Sequence, residues 1–450
     1  MNQVYVALSL ALPSAKRESL LVSKERNKQQ TENARIHGFF SFNVRLSHVD
    51  LCVKAPKTLS KQSAKSLRFA RTVKPWYDLR VNDRLDVWLL NPYAAGSHKA
   101  WADGFAAHSR HKVEILEMQG HFWKWRMHGG ALELAAQARQ LLAAGSRPDI
   151  LVATSMTNIP AFLALMRREV AAIPLLLYMH ENQLTYPPPP GTKRDLTYGM
   201  IQHLSMTVAD AIRFNSAYHM AAWFAEMPRL LKHFPDYTHL QSIDATSAKA
   251  AVLPVGCDLR KLDRHRTTAD DEAPPLVLWN QRWEYDKDPQ TMLAALYALA
   301  DEDIPFRVAL AGESFRVQPV EFAAACERLG PRLVHFGYAE DEAAYARLLW
   351  SADVVISTAI HEFFGVSVTE AIYCGAFPVL PRRLSYPELL PASAHERCLY
   401  DGFEDLMAKL RAALAQPHNL PDLVSHAATF DWSTQAPVYD DLLQSLASQL

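Results

Sequence analysis

Cysteine is scarce in this sequence, with five residues among 450, scattered along the chain and never spaced as Cys-x-x-Cys. That pattern argues against a disulfide framework and against a zinc site, and it indicates a reducing compartment. Long hydrophobic runs are also missing, because no segment approaches the length of a membrane span. The apolar stretch at residues 4–12 is short and has no basic residue ahead of it, which makes it a poor signal peptide. We therefore expect a cytoplasmic protein that does not contact a membrane.

A strong overall charge is missing as well. The net charge is −1 at pH 7, so the molecule as a whole carries no strong footprint for nucleic acid. The charge is unevenly placed, however: residues 1–84 contain 16 Lys/Arg and 6 Asp/Glu, against 31 and 42 in the remainder. We interpret residues 1–84 as a basic, largely disordered extension. Such a tail can help to hold an RNA backbone; the alternatives are a solvated tail and an overextended translation start.

Buried strands alternate with helical segments over the rest of the chain. Short apolar runs, typical of buried parallel strands, lie at residues 85–90, 148–153, 175–179, 276–280 and 353–357. The length and this alternation predict an α/β protein with two Rossmann-like domains facing a cleft, at residues 85–260 and 274–432. The polar, charged segment between the domains is typical of a linker.

The most informative stretch lies between the last of these strands and the helix predicted at residues 367–374. Glu362 and Glu370 are eight positions apart, and Gly365 lies between them at a strand-to-helix turn. The free N–H groups and the positive dipole at the start of a helix favour an anion. Carboxylates beside such an anion seat suit a ligand that also presents hydroxyl groups, which is the chemistry of a nucleotide-sugar. Two merely solvated glutamates are the alternative.

Two further loops follow predicted strands. Arg282 and Lys287 come after the strand at 276–280 and can clamp a diphosphate, unless they belong to a solvated loop. The small turn after the first strand, residues 96–98, lets a ligand approach the backbone closely and faces the predicted cleft. This turn lacks the Gly-x-Gly-x-x-Gly fingerprint, so dinucleotide binding is not favoured.

Two clusters in the first domain suggest binding surfaces. Polar residues follow the strand at 175–179 and precede four prolines, and we interpret them as the wall of a site, although a lone histidine is usually structural: His180, Glu181 and Asn182. Aromatic and cationic residues alternate at positions 123–126: Trp123, Lys124, Trp125 and Arg126. Trp and Arg planes stack on bases or sugars, and an interface-packing role is the alternative.

The spacing of Glu362 and Glu370 after a Ser-Thr strand end resembles the donor-binding signature of retaining GT-B glycosyltransferases of family 4. Several loops resemble a narrower group, the tRNA-queuosine α-mannosyltransferases: residues 96–98, 180–187, 279–287, 361–365 and 384–389. The resemblance covers about residues 85–390 and does not extend to the first 80. It implies the GT-B architecture, with an acceptor domain, a nucleotide-sugar domain and a C-terminal helix, residues 433–450, that packs back on the first domain.

The resemblance also implies a reaction, namely transfer of mannose from GDP-mannose to the queuosine base in the anticodon of tRNA, in the aspartate tRNA, with retention at the anomeric carbon. It implies that Glu362 contacts the hydroxyls of the donor sugar, that Glu370 contacts the ribose, and that His180 contacts the sugar or the acceptor. We therefore predict His180 and Glu362 as catalytic residues. The other predicted donor contacts are Gly96, Arg282, Lys287, Phe364 and Gly365. The predicted acceptor contacts are Ser97, His98, Trp123, Trp125, Glu181 and Asn182. We predict no cofactor and no metal, because no cluster of metal ligands is visible and the Arg/Lys pair can replace a metal's charge.

Other functions stay open on the sequence alone. A family 4-type transferase with another nucleotide-sugar and a small-molecule or lipid acceptor would explain the acidic body more simply. A GT-B epimerase or hydrolase would share the donor site but needs a base at the sugar. A non-catalytic RNA-binding module would keep the basic tail and the aromatic cluster, with no reason to keep a donor pocket. The oligomeric state is also left open.

Overall fold

The computed structural model describes residues 83–188, 191–267, 272–312, 321–415 and 421–449, so nearly all of the predicted extension at 1–84 lies outside the described residues. The first domain is built on a six-stranded parallel sheet in the order β2-β1-β3-β4-β5-β6. Its strands are β1 (Asp86–Ala94), β2 (Lys112–Gln119), β3 (Ile150–Thr154), β4 (Leu175–Met179), β5 (Ala211–Phe214) and β6 (Ala250–Val252). Its helices are α1 (Gly96–His108), α2 (Trp123–Ala143), α3 (Ile159–Leu165), α4 (Leu196–Val208), α5 (Ala217–Leu231) and α6 (Gln241–Ser247).

The second domain is built on another six-stranded parallel sheet, in the order β12-β11-β10-β7-β8-β9. Its strands are β7 (Leu276–Trp279), β8 (Arg307–Ala311), β9 (Leu333–Gly337), β10 (Val354–Ile356), β11 (Phe377–Pro381) and β12 (Leu399–Tyr400). The helices that follow β7 are α7 (Pro289–Asp301), α8 (Glu321–Leu329), α9 (Glu342–Ser351), α10 (Val366–Tyr373), α11 (His395–Cys398), α12 (Phe403–Ala415), α13 (Pro421–Ala428) and α14 (Trp432–Ala447).

The central strands of both sheets are apolar because helices cover both of their faces. β3, β4, β7 and β11 are buried along their whole length, as expected for parallel strands inside an α/β layer structure. The prediction of two Rossmann-like domains is confirmed by these two parallel sheets. No helix in the part of the chain that the structure describes has the length and the apolar character needed to cross a membrane.

The last helix, α14, packs against the first domain. The Trp101 indole donates to the Tyr439 hydroxyl at 3.2 Å, and the Arg110 main-chain N–H donates to the Asp440 carboxylate at 2.9 Å. The Trp432 ring lies so close to Gly104 and Gly256 that a Cβ on either glycine would come within 2.5 Å of it. Only glycine leaves room for this ring, which fixes where the end of the chain meets the first domain.

Two element boundaries illustrate how the structure differs from the sequence-based prediction. Strand β1 continues to Ala94 instead of ending at residue 90. Helix α14 begins at Trp432, one residue before the predicted residue 433, and the Asp431 carboxylate caps it by accepting from Ser433 N–H at 2.9 Å. Gly130 is an interior position of α2, where Pro92 Cβ would lie 3.1 Å from an added Cβ.

Candidate active site

The loop between β10 and α10 is a strand-to-helix turn with Gly365 directly ahead of the helix, as the sequence predicted. Gly365 has φ = +107°, which L side chains rarely adopt, and a Cβ there would also press on the Leu389 side chain at 3.0 Å, so the conformation favours glycine. No side chain caps α10, so the first-turn N–H groups of this helix are open to an anion. Glu362 Oε1 accepts from the N–H groups of Phe363 at 3.0 Å and Phe364 at 3.3 Å, which orders the loop ahead of the helix.

Lys287 lies at the centre of the charged part of this site. Its ammonium is 3.2 Å from Glu362 Oε2 and 3.3 Å from Asp286 Oδ2, and it donates to the His361 carbonyl at 2.8 Å. Lys287 is 6% exposed and Asp286 is 0% exposed. Burial acts to lower the pKa of Lys287, but the carboxylates of Glu362 and Asp286 outweigh it and raise the pKa above its usual value. The lysine therefore stays protonated at neutral pH.

The pKa values of Glu362 and His361 are both lowered. Burial acts to raise the pKa of Glu362, but Lys287 and the Phe364 N–H lower it below its usual value, so this carboxylate is ionised at neutral pH. Burial, and then the neighbouring Lys287 charge, lower the pKa of His361 to about 4, so this imidazole is neutral. The loop thus holds one buried cation, Lys287, between the carboxylates of Asp286 and Glu362.

Glu370 lies on α10 itself and is held by an aromatic hydroxyl. The Tyr345 hydroxyl donates to Glu370 Oε2 at 2.9 Å, and Asn280 Nδ2 donates to that tyrosine at 3.1 Å and to the Ser367 carbonyl at 2.7 Å. Burial raises the pKa of Glu370. The two predicted glutamates therefore lie in different surroundings: Glu362 is bound by a cation and by main-chain N–H groups, and Glu370 by a neutral hydroxyl.

Arg282 lies near the boundary of the two domains. Its guanidinium pairs with Glu284 at 3.2 Å and approaches the Tyr186 hydroxyl at 3.5 Å, and its side chain is 46% exposed. Tyr186 belongs to the first domain, and its hydroxyl is also 3.4 Å from Asp286 Oδ2. Sequence reasoning assigned no role to Tyr186 or Asp286, although both stand within the runs that carried the family resemblance.

The first domain contributes a group of buried rings at the end of β4. The His180 ring lies 4.5 Å from His98, 4.6 Å from Trp101 and 4.7 Å from Tyr178, centroid to centroid. Burial lowers the pKa of His180 well below 6.5, and His98 and His219 lower it further, so the imidazole is neutral. Among the described residues its Nε2 atom has no hydrogen-bond partner. A buried neutral imidazole with one unused nitrogen is suited to bind a hydroxyl group.

Glu181 and Tyr186 extend this group towards the second domain. Its carboxylate lies 3.9 Å from His98 Nε2 and accepts from Gln183 Nε2 at 2.9 Å. Burial acts to raise the pKa of Glu181, but His98 lowers it, as do Arg282 and His361. The Tyr186 ring also lies 4.4 Å from the His361 ring. The structure thus brings His98, His180 and Glu181 of one domain towards Arg282, Lys287 and Glu362 of the other.

Several predicted site residues lie at the edge of this group or are engaged in the fold. Gly96, with φ = +49°, begins α1 and is exposed with Ser97, whereas His98 turns inward. Asn182 Oδ1 accepts from the N–H groups of Leu184 at 3.0 Å and Thr185 at 2.7 Å, so it shapes its own loop. Its Nδ2 is buried and has no partner among the described residues. The Phe364 ring lies in the core against Phe430, and its main-chain N–H donates to Glu362 Oε1, so Phe364 supports the shape of the loop.

The two predicted tryptophans differ from each other. The Trp123 ring packs at 4.8 Å from the Tyr198 ring, with the Lys124 ammonium 5.6 Å from its centroid. Trp125 is 73% exposed and Phe122, at the start of the same helix, is 75% exposed. Trp123 is thus partly a packing residue, which was the alternative interpretation of this aromatic cluster. Trp125 is free to contact a ligand. Within the described ranges, no group of three or more His, Cys, Asp or Glu side chains is placed to hold a metal ion.

Replacing Arg282 with alanine should weaken GDP binding by about 1–3 kcal/mol, the scale of a lost charge-assisted hydrogen bond at a partly exposed position. Calorimetric titration with GDP measures this directly. Arg328→Ala is the matched control, because that guanidinium pairs with Asp301 on the surface of the same domain. Equal GDP affinity of Arg282→Ala and wild type would remove Arg282 from the donor site.

Both domains of the chain match families of known proteins. Residues 86–257 match the family model described as tRNA-queuosine alpha-mannosyltransferase N-terminal, and residues 261–428 match the one described as glycosyl transferases group 1. A tRNA-queuosine alpha-mannosyltransferase of Drosophila melanogaster is 34% identical over 313 residues, which span 68% of this chain and 81% of that protein. A GDP-mannose-dependent alpha-(1-6)-phosphatidylinositol dimannoside mannosyltransferase of Mycobacterium tuberculosis is 26% identical over 42% of this chain and 51% of that protein.

Solved structures share the architecture at low sequence identity. Sucrose-phosphate synthase from Thermosynechococcus elongatus superposes with a TM-score of 0.61 at 16% identity, over 82% of this chain and 100% of that one. HepE from Anabaena, in complex with UDP-glucose, gives 0.56 at 15% identity, over 80% of this chain and 100% of that one. Identities this low are informative about the fold alone, and they confirm the predicted GT-B architecture.

Proposed function

The chain belongs to the tRNA-queuosine alpha-mannosyltransferase family, and from that premise we propose that it transfers mannose from GDP-mannose to the queuosine base of tRNA, in the aspartate tRNA. It is a glycosyltransferase. The observation that carries the proposal is the meeting of two half-sites. A buried cation and an uncapped helix start lie in the second domain, a neutral histidine with an unused nitrogen lies in the first, and the Tyr186 hydroxyl of the first domain reaches Asp286 of the second at 3.4 Å.

The second domain holds the donor in this proposal. The diphosphate lies at the start of α10, near Lys287 and Arg282, and the ribose hydroxyls bond to Glu370. As the bond from the anomeric carbon to GDP breaks, negative charge grows on the diphosphate, so fixed cations and helix-end N–H groups stabilise the transition state more than the ground state. These groups supply positive charge without a metal ion or another cofactor.

The sugar lies between the domains, with Glu362 and His180 on either side. Glu362 accepts from sugar hydroxyls while Lys287 keeps it ionised. Neutral His180 bonds a sugar or acceptor hydroxyl through Nε2. The acceptor oxygen forms its bond to the anomeric carbon on the face that GDP leaves, and the departing phosphate oxygen takes the acceptor proton. This sequence retains the configuration and needs no nucleophilic side chain.

The acceptor binds to the first domain. Ser97 lines its entrance next to the donor contact Gly96, His98 and Glu181 face the sugar, and the exposed Trp125 at the start of α2 stacks on a nucleotide of the anticodon loop. The cations next to that helix start, Lys124 and Arg126, provide the charge that an RNA backbone requires. The scattered cysteines fit a reducing compartment such as the cytoplasm, and the four in the described ranges are free thiols.

The decisive experiment incubates the enzyme and GDP-mannose with tRNA from cells that make queuosine and from cells that do not. Nucleoside mass spectrometry should find a hexose added only to the queuosine-containing tRNA. Replacing GDP-mannose with GDP-glucose or a UDP-sugar should remove the product. Labelling of a lipid or a free sugar, with tRNA unlabelled, would contradict the acceptor and leave the transferase assignment intact.

A further inference from the structure

A carboxylate of the second domain binds the start of a helix in the first. Glu388 lies in a short 3₁₀ turn, Tyr386–Leu389, that follows β11. Its Oε2 accepts from the N–H of Ala217 and its Oε1 from the N–H of Tyr218, each at 2.7 Å. Ala217 and Tyr218 are the first two residues of α5. Short bonds from two N–H groups to the two oxygens of one carboxylate form a directional, charge-assisted contact.

This contact completes the start of α5. Ser216 Oγ accepts from the third free N–H, that of His219, at 3.1 Å, and it donates to the Phe363 carbonyl at 2.6 Å. The positive end of the helix dipole therefore faces Glu388, which stabilises an anion there. Two neighbouring residues of the first domain, Ser216 and Ala217, thus depend on partners in the second.

The turn that carries Glu388 also supports the donor loop. Ser385 Oγ donates to the Phe364 carbonyl at 2.9 Å, and the Tyr386 and Leu389 side chains lie against Gly365. From the other side, the Phe363 ring stacks on the His219 ring of α5 at 4.0 Å. The loop of Glu362 is therefore held between the turn of Glu388 and the helix that Glu388 binds.

We propose that Glu388 is a positioning residue, a carboxylate clasp that holds the two domains in the arrangement in which donor and acceptor groups meet. The half-sites are useful only together, because His180 belongs to one domain and Lys287 and Glu362 to the other. Loss of the Glu388 carboxylate leaves the Lys287–Glu362 pair and the rings around His180 in place, because Glu388 contacts neither of them, and it reduces the fraction of molecules in which the half-sites face each other. Donor affinity then stays the same, while the transfer rate falls with that fraction.

The test uses Glu388→Gln, which keeps the shape and loses the charge, and Glu388→Ala, which loses both. Glu396→Gln is the matched control, because Glu396 is an exposed carboxylate that pairs with Arg382 inside the second domain at 3.1 Å. Three measurements are needed: GDP affinity by calorimetry, single-turnover transfer to queuosine-containing tRNA, and the radius of gyration by small-angle X-ray scattering. Thermal unfolding verifies that each variant is folded.

We expect GDP affinity within about twofold of wild type for every variant, as the clasp does not touch the donor. Single-turnover transfer should fall about tenfold to a hundredfold in Glu388→Ala and less in Glu388→Gln, the cost of a displaced reacting group. The radius of gyration should increase in the same order, with Glu396→Gln like wild type. An unchanged radius with unchanged transfer would overturn the clasp, as would a loss of GDP affinity that matches the loss of transfer. The scattering and GDP measurements need no acceptor, so they decide about the clasp even if wild type leaves queuosine unmodified.

Discussion

Replacing Lys287 with alanine should lower the free energy of unfolding by about 3–5 kcal/mol and abolish measurable binding of GDP-mannose. The lysine is the cation between two carboxylates, Asp286 and Glu362, and both it and Asp286 are buried. Removing it leaves two negative charges next to each other, one without any exposure to water. It also removes the ammonium that holds the His361 carbonyl, and with it the shape of the donor loop. Urea unfolding and calorimetric titration measure the two effects.

A charge-neutral triple variant separates the two effects. Lys287→Met combined with Asp286→Asn and Glu362→Gln removes all three charges of the cluster, so it should regain most of the stability while still failing to bind the donor. Lys99→Ala is the control for loss of a paired lysine on the surface, where Asp103 and Glu117 are the partners, and it should cost less than about 1 kcal/mol. A Lys287→Ala protein as stable as the Lys99→Ala control would contradict the buried cluster.

The sequence predicted which loops meet but could not rank the residues on them. Arg282 and Lys287 were predicted as an equivalent pair, since both are cations in one loop. In the structure Arg282 is half exposed and Lys287 is buried, because the Lys287 loop is covered by the segment around Thr358, whose hydroxyl donates to the Lys287 carbonyl at 2.9 Å. That partner lies 71 positions along the chain, so burial here follows from tertiary packing, which local pattern does not encode.

Two other residues show what local chemistry could have revealed. Asn182 was grouped with the acceptor contacts, yet its carbonyl oxygen closes a turn over Leu184 and Thr185. Asn side chains commonly bond the main chain two residues ahead, so this structural role was readable from the sequence. Glu388 is the opposite case. Its partners, Ala217 and Tyr218, lie some 170 positions earlier in the other domain. Nothing near Glu388 in the sequence indicates them.

Replacing His180 with phenylalanine should lower the transfer rate by about tenfold to a hundredfold, the scale of a lost hydrogen bond that leaves a buried hydroxyl unpaired. GDP affinity should stay within about twofold of wild type, because the proposed contacts of His180 are to the sugar or the acceptor and not to GDP. Phenylalanine is the sharpest substitution here, since it fills the space among His98, Trp101 and Tyr178 and removes only the ring nitrogens. Single-turnover kinetics and GDP calorimetry measure the two quantities.

The pH profile of the wild-type enzyme tests the same residue in another way. The pKa of His180 is well below 6.5, because burial disfavours the charged ring and two neighbouring histidines disfavour it further. A group with a lowered pKa stays neutral as the pH falls through 6.5, so the transfer rate should be flat between pH 8 and about pH 6. His203→Phe is the control for loss of a buried histidine, since that ring bonds Ser242 instead of facing the second domain. A transfer rate that halves near pH 6.5 in wild type, and no longer does so in His180→Phe, would mean that His180 has the ordinary pKa of an exposed imidazole. The proposed sugar contact requires a neutral, buried imidazole, so that proposal would then be wrong.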